Sequence, residues 1–260
     1  MLWLNPPRPD VPPVENRRLV IVEVVIVFTI TLGLSGAYSL LSLLDSLLKE
    51  KALADQKVAL NVSEATNQIL DFLGQLLNAT RLLAFGALGL YLLWRAGMRL
   101  RHIGLDVRRI GGDLGRAAGL AALIGVPGLA FYLVARAVGA NLTVVPTTLD
   151  HWWSYLTLTI SAFANAWAEE VLVVGYLITR LRQLGMAENK SLLISAVLRG
   201  SYHLYQGFGG FLGNVVMGLV FGRFWQRTNR LWPLVLAHFL IDFVAFVGYA
   251  ILRGHVAWLP

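Results

Sequence analysis

The sequence predicts an all-α integral membrane protein, a bundle of about seven transmembrane helices with its chemistry among the C-terminal four. Three observations predict it. The 260-residue chain is 57% hydrophobic and 14% charged, with a mean hydropathy of +0.63, whereas soluble domains carry about 25% charged residues. Its apolar residues gather in stretches close to the roughly 20 needed to cross a bilayer core of about 30 Å. Its basic residues fall in short runs between those stretches. The net charge of +7 therefore reads as membrane topology rather than as a nucleic-acid surface. No cysteine is present, which excludes disulfides, thiolate metal sites and a cysteine nucleophile.

Residues 1–18, MLWLNPPRPDVPPVENRR, are proline-rich and lack the charged, apolar and cleavable regions of a signal peptide. Proline blocks both helix and sheet there, so a disordered cytoplasmic tail is expected. A membrane domain follows over 19–252, with spans at about 19–47, 76–96, 117–138, 153–181, 191–207, 209–227 and 231–252. The fifth is short and meets the sixth at a glycine-rich turn, Gln206-Gly207-Phe208-Gly209-Gly210. Such a turn suits a reversal inside protein rather than against lipid. Residues 253–260 form a short tail. Gly209-x-x-x-Gly213 and Gly218-x-x-x-Gly222 fit close helix packing.

Orientation follows from the Lys/Arg asymmetry. Arg8, Arg17 and Arg18 precede span one, and Arg95, Arg99, Arg101, Arg108, Arg109 and Arg116 flank the turn from span two to three. Arg180, Arg182 and Lys190 lie between spans four and five, and Arg223, Arg227 and Arg230 between six and seven. One side of the membrane thus receives 15 of the 22 basic residues. By the positive-inside rule that side, and the N-terminus, are cytoplasmic.

Spans one to three are nearly pure Leu, Val, Ala and Gly, whereas the later ones carry ionisable residues. Such groups cost roughly 2.5–3.5 kcal/mol each on insertion scales and normally face a bundle interior with a partner or a task. Glu169 and Glu170 lie in span four, Arg199 and His203 in span five, and His238 and Asp242 in span seven. Counted from the basic ends at about 1.5 Å per residue, they reach overlapping depths of roughly 10–20 Å. His238 and Asp242 are spaced i, i+4 and share a helix face, as do Arg199 and His203. A carboxylate in a pocket of low dielectric suits a general base, imidazoles suit an oxyanion, and an Asp one turn away can fix a histidine tautomer. Glu plus two His also matches a zinc ligand set, although no HExxH pair on one helix supports it. Adjacent Glu169 and Glu170 point about 100° apart on an α-helix, so one of them has a structural alternative, pairing with Arg199. Glu23 and Asp45 have no partner visible in the sequence, and Asn214 is a further candidate for the site lining.

The order of these residues resembles the CPBP intramembrane protease family, the CAAX-prenyl endopeptidase and bacteriocin-processing group, also called ABI. The stretch 168–246 carries the resemblance: Glu169-Glu170, His203, Gly218-Leu219-Val220-Phe221-Gly222, Leu231-Trp232-Pro233, and His238-x-x-x-Asp242. The resemblance implies an intramembrane endopeptidase without a catalytic metal, zinc being the alternative. Glu169 or Glu170 would activate water, Glu169 being the better match to the family's base with Glu170 as its helper, and His203, His238 and Asp242 would support the oxyanion and hold the base. Two positions depart from the family pattern. Glu-Glu-x-x-x-Arg has Val174 in place of arginine, and Phe-x-x-x-His has Arg199 in place of phenylalanine. One helix loses a cation and its neighbour gains one, so Arg199 is the expected replacement partner of a glutamate. The expected substrate is a membrane-associated or lipidated peptide, reached through a cavity open toward the basic, cytoplasmic side. Membrane lipids are the other expected partner, with no nucleic acid, and the expected location is a bacterial plasma membrane. The alternatives are a non-catalytic immunity or scaffold protein of the same fold and a proton-coupled transporter.

Overall fold

The computed structural model describes residues 11–256, which are predominantly helical. Helix α1 (Arg17–Ile30) opens on Asn16, whose side chain accepts from the N–H groups of Arg18 and Leu19. This is an N-cap that relieves two unpaired donors of the first turn. Of the expected tail 1–18, residues 1–10 lie outside the described residues, and Arg17 and Arg18 are already helical. Of the tail 253–260, residues 257–260 lie outside as well.

The first expected span is broken. The chain leaves helical geometry at Thr31, and α2 (Leu32–Leu48) runs on at 49° to α1. Each half then has its own partner. Glu23 of α1 accepts from Arg180 at 2.7 Å and from the Tyr176 hydroxyl at 2.8 Å, so its sequence-invisible partners lie on the fourth span. Beyond the bend, α2 docks through a stripe of small residues: a side chain on Gly36 would collide with Ser201 Oγ, and Ser39 Oγ donates to the Tyr202 carbonyl at 2.9 Å. Asp45 pairs with Lys49 at the exposed end of α2.

Helices α3 (Gln68–Arg95) and α4 (Ile110–Ala137) are long, apolar and peripheral. Only 11% of the apolar window of α4 is buried within the protein, against 39% for the last span, so most of α4 is left for lipid. Helix α3 packs on α5 (Ser154–Glu169) through Gly86 and Gly89, where any side chain would meet Trp167 and Leu172. The helical path continues from α5 through a π-helical stretch, Glu170–Tyr176, into α6 (Leu177–Gln183). A π turn replaces the i→i−4 pairing of the α-helix with i→i−5. Two hydroxyls bond its carbonyls: Ser195 Oγ donates to Val173 O at 2.7 Å, and Thr179 Oγ1 donates to Gly175 O at 2.6 Å.

Helix α7 (Glu188–Ser201) has 14 residues and is followed by a 3-10 turn, Leu204–Gln206. The reversal at Gly207 has φ +106, a region that favours glycine, and Asn141 pins it by accepting from Gly210 N–H at 2.9 Å. Helix α8 (Phe208–Thr228) then packs along α7, with Gly218 against Ala196 and Gly222 against Leu192. The last span comprises α9 (Trp232–Phe243), a π stretch Val244–Gly248 and α10 (Tyr249–Leu252). Four helices among the described residues are long and apolar enough to cross a membrane, or five with α1 and α2 as one bent span. This is the architecture of a multi-pass membrane protein, with fewer qualifying helices than the seven expected. The 14-residue α7 is short of a bilayer, and the fourth helical path carries Glu169, Glu170, Arg180 and Arg182.

An all-α fold is also not quite what forms. Strands β1 (Lys57–Asn61) and β2 (Thr143–Thr147) pair in parallel, Val58 opposite Val144 and Asn61 opposite Thr147. The loops sort to two ends of the bundle. At the basic end, Arg230 bonds Asp106 and Asp113, Leu231 N–H donates to Gly104 O, and Arg182 grips Glu188 at 2.7 Å. At the other end the sheet meets the turn before α8, where Leu142 N–H donates to Gln206 O at 2.9 Å.

Candidate active site

The π stretch begins at Glu170, so both glutamates sit where α5 changes its winding. Neither is spent elsewhere: both carboxylates enter the same buried cluster. Glu170 is fully buried, and its Oε1 accepts from Arg199 Nη2 at 2.6 Å and lies 2.8 Å from His238 Nδ1. The other ring nitrogen, His238 Nε2, faces Asp242 Oδ2 at 3.6 Å, one turn along α9.

Glu169 meets a different set of groups. Its Oε2 accepts from the Tyr202 hydroxyl at 2.8 Å and lies 3.8 Å from Arg199 Nη1. Its Oε1 lies 3.9 Å from His203 Nε2, beyond a direct hydrogen bond. His203 Nδ1 lies 3.3 Å from the Gln206 amide nitrogen, an i, i+3 contact across the 3-10 turn. Arg199 is fully buried between the two carboxylates, the arrangement that keeps a buried charge tolerable. The six residues singled out by the sequence, Glu169, Glu170, Arg199, His203, His238 and Asp242, therefore form one connected cluster.

Several of its polar atoms are buried without a hydrogen-bond partner: Glu170 Oε2, Arg199 Nε and Nη1, and His203 Nε2. Buried polar atoms are ordinarily paired, so this concentration in one place marks a site built to receive something polar. Among the described residues no group of three His, Asp or Glu side chains is arranged to hold a metal ion. The two histidines divide between the two glutamates, His203 toward Glu169 and His238 toward Glu170.

The expected opening toward the basic loops is not what the packing shows. On that side Val171, Leu172, Val173, Val174, Leu234 and Val235 have no exposure at all. Residual exposure belongs to Glu169, His203 and Asp242, at 12%, 17% and 18% of their side chains. The reason is the short α7, which ends His203 and its turn at the strand-bearing end of the bundle, beside Leu142.

Tyr202 and Gln206 are the members that sequence reasoning missed. Both flank His203, and their proximity to it was the available signal. Asn214 turns into its own helix, donating to Gly210 O at 2.9 Å.

No curated protein and no solved structure matches the chain. Residues 151–244 match the family model described as Rce1-like, Type II CAAX prenyl endopeptidase. The matched stretch runs from just before α5 to the end of α9 and contains every member of the cluster. Over that stretch, about a third of its length, the chain is similar to the CAAX-type membrane proteases, in keeping with the CPBP resemblance carried by Glu169-Glu170, His203 and His238-x-x-x-Asp242.

Proposed function

We propose that this protein is an intramembrane endopeptidase in which Glu169 activates a water for attack on a peptide bond. The observation that carries this reading is the spacing of Glu169 Oε1 and His203 Nε2. They stand 3.9 Å apart, the imidazole nitrogen buried and without a partner, a gap suited to one water that hydrogen-bonds both. Glu169 takes the proton of that water as it adds to the carbonyl carbon. His203 orients the water and then hydrogen-bonds the developing oxyanion, while Glu169 passes the proton it took to the leaving nitrogen as the C–N bond breaks. Arg199 Nη1 offers a second buried donor beside them.

The second glutamate has a different task. Glu170 is committed to Arg199 and His238, so it serves as the fixed counter-charge that holds both in place, and Asp242 sets the outer side of His238. Arg199 supplies the cation that Val174 does not, which favours a competent site over a non-catalytic relative of the same fold. The substrate is a membrane-associated or lipidated peptide, and the chemistry runs on side chains without a metal. The path 154–183, packed on α3, and the short α7, packed on α8, complete a seven-helix bundle, with Leu193 and Val197 of α7 left facing outward. The basic end faces the cytoplasm.

The test is cleavage of a membrane-anchored reporter peptide by the purified full chain in proteoliposomes. Glu169→Ala and His203→Ala each lower the rate by roughly a hundred- to ten-thousandfold, the range for loss of a general acid or base, while the variants still insert and fold. The wild-type rate survives chelators. Retention of activity in Glu169→Ala overturns the assignment of the base, and loss of activity on chelation overturns the metal-free chemistry.

A further inference from the structure

We infer that Tyr202 is a positioning residue that selects Glu169 Oε1 as the atom facing the water, an inference that rests on the protease reading above. A carboxylate has two equivalent oxygens and rotates freely unless something distinguishes them. Here the Tyr202 hydroxyl donates to Oε2 at 2.8 Å, which leaves Oε1 toward His203. Tyr202 is 5% exposed, and its hydroxyl and carbonyl oxygens both have protein partners.

The phenol is itself held. Its residue caps the end of α7, and Ser39 of α2 donates to its carbonyl at 2.9 Å. Gly36, one turn earlier, brings α2 against Ser201 so closely that any side chain at 36 would collide with the hydroxyl there. The Tyr202 ring also lies 4.9 Å from the His203 ring. A shift of α2 therefore moves the tyrosine that sets the glutamate and the histidine beside it together. The outer half of the bent first span thus supports the reacting groups from behind without touching the substrate.

Tyr202→Phe in the full chain tests this directly. It keeps the ring and removes one hydroxyl, so the expected result is a fall in kcat of about tenfold, the size of one lost hydrogen bond, with KM within about twofold. On a Glu169→Gln background the same change produces no further fall. A second measurement does not need activity: the infrared difference between wild type and Tyr202→Phe shows a shifted carboxylate band, absent from the difference between Glu169→Gln and Glu169→Gln/Tyr202→Phe. An unchanged carboxylate band, or kcat and KM moving together with a lowered melting temperature, overturns the positioning role. If the wild type cleaves nothing in a Glu169-dependent way, the protease reading fails, and the infrared pair still decides whether Tyr202 sets the glutamate.

Discussion

Arg199 stands where two buried carboxylates need a cation, and its removal leaves Glu170 fully buried and held only by His238. Breaking a buried pair in this way costs about 3–5 kcal/mol. Arg199→Phe is thus expected to lower the melting temperature sharply and to abolish activity. Residue 174 lies four positions after Glu170 in the same π stretch and is fully buried. Adding Val174→Arg to Arg199→Phe is expected to restore part of both, read by thermal melting in detergent and by reporter cleavage. A double variant no better than the single one disproves the exchange. At this scale the ionisable members of the cluster were legible, because charges inside apolar stretches stand out. Tyr202 and Gln206 were not, since a tyrosine near the end of a span is common at membrane interfaces and Gln206 lies in the turn beyond the helix. That both glutamates enter one cluster was hidden for a different reason. The 100° rule that set them apart assumes α-winding, and the winding changes at residue 170.

Elements were legible where apolar length decides them and obscure where geometry is local. The long α3, α4 and α8 follow from 3.6-residue turns in an apolar setting, whereas the break at Thr31 has no proline to announce it. The small sheet was hidden because Lys57–Asn61 and Thr143–Thr147 read as loop edges, and parallel pairing joins strands distant in sequence. The π stretch depends on partners from another helix, which makes it testable. Ser195 is 1% exposed and its hydroxyl satisfies the Val173 carbonyl. Ser195→Ala removes that buried hydrogen bond, a loss of about 0.5–1.5 kcal/mol. Because Glu170 opens the same stretch, the variant is also expected to lose activity at temperatures where it remains folded. Ser195→Thr, which retains the hydroxyl, is the control: recovery of activity with Thr but not with Ala ties the effect to the hydrogen bond rather than to volume.

At the scale of the whole molecule the two ends of the bundle are fastened differently. The strand-bearing end is joined by backbone pairing, between β1 and β2 and between Leu142 and Gln206. The basic end is joined by charge. Arg230, just before α9, reaches Asp106 at 2.5 Å in the loop after α3 and also bonds Asp113 on α4, so one guanidinium ties three segments. The Trp225 and Trp232 indoles bond the same loop at Ile103 O and Leu105 O. The sorting of basic residues into one set of loops was legible from the sequence, but this fastening was not, because it depends on which loops meet. It carries a pH dependence whose sign is fixed. Burial pushes the Asp106 carboxyl up, but the Arg108 N–H and the Arg230 guanidinium outweigh it, and its pKa is lowered in the folded protein. A depressed carboxyl favours the folded state when ionised, so its contribution is full above the unfolded value of about 4. It fades as the pH falls through the lower folded value. Melting temperature measured against pH is therefore expected to drop more steeply below about pH 4 in the wild type than in Asp106→Asn, with the two curves converging at the acidic limit. Parallel curves across that range would mean that the Arg230–Asp106 contact contributes nothing to holding the basic end together.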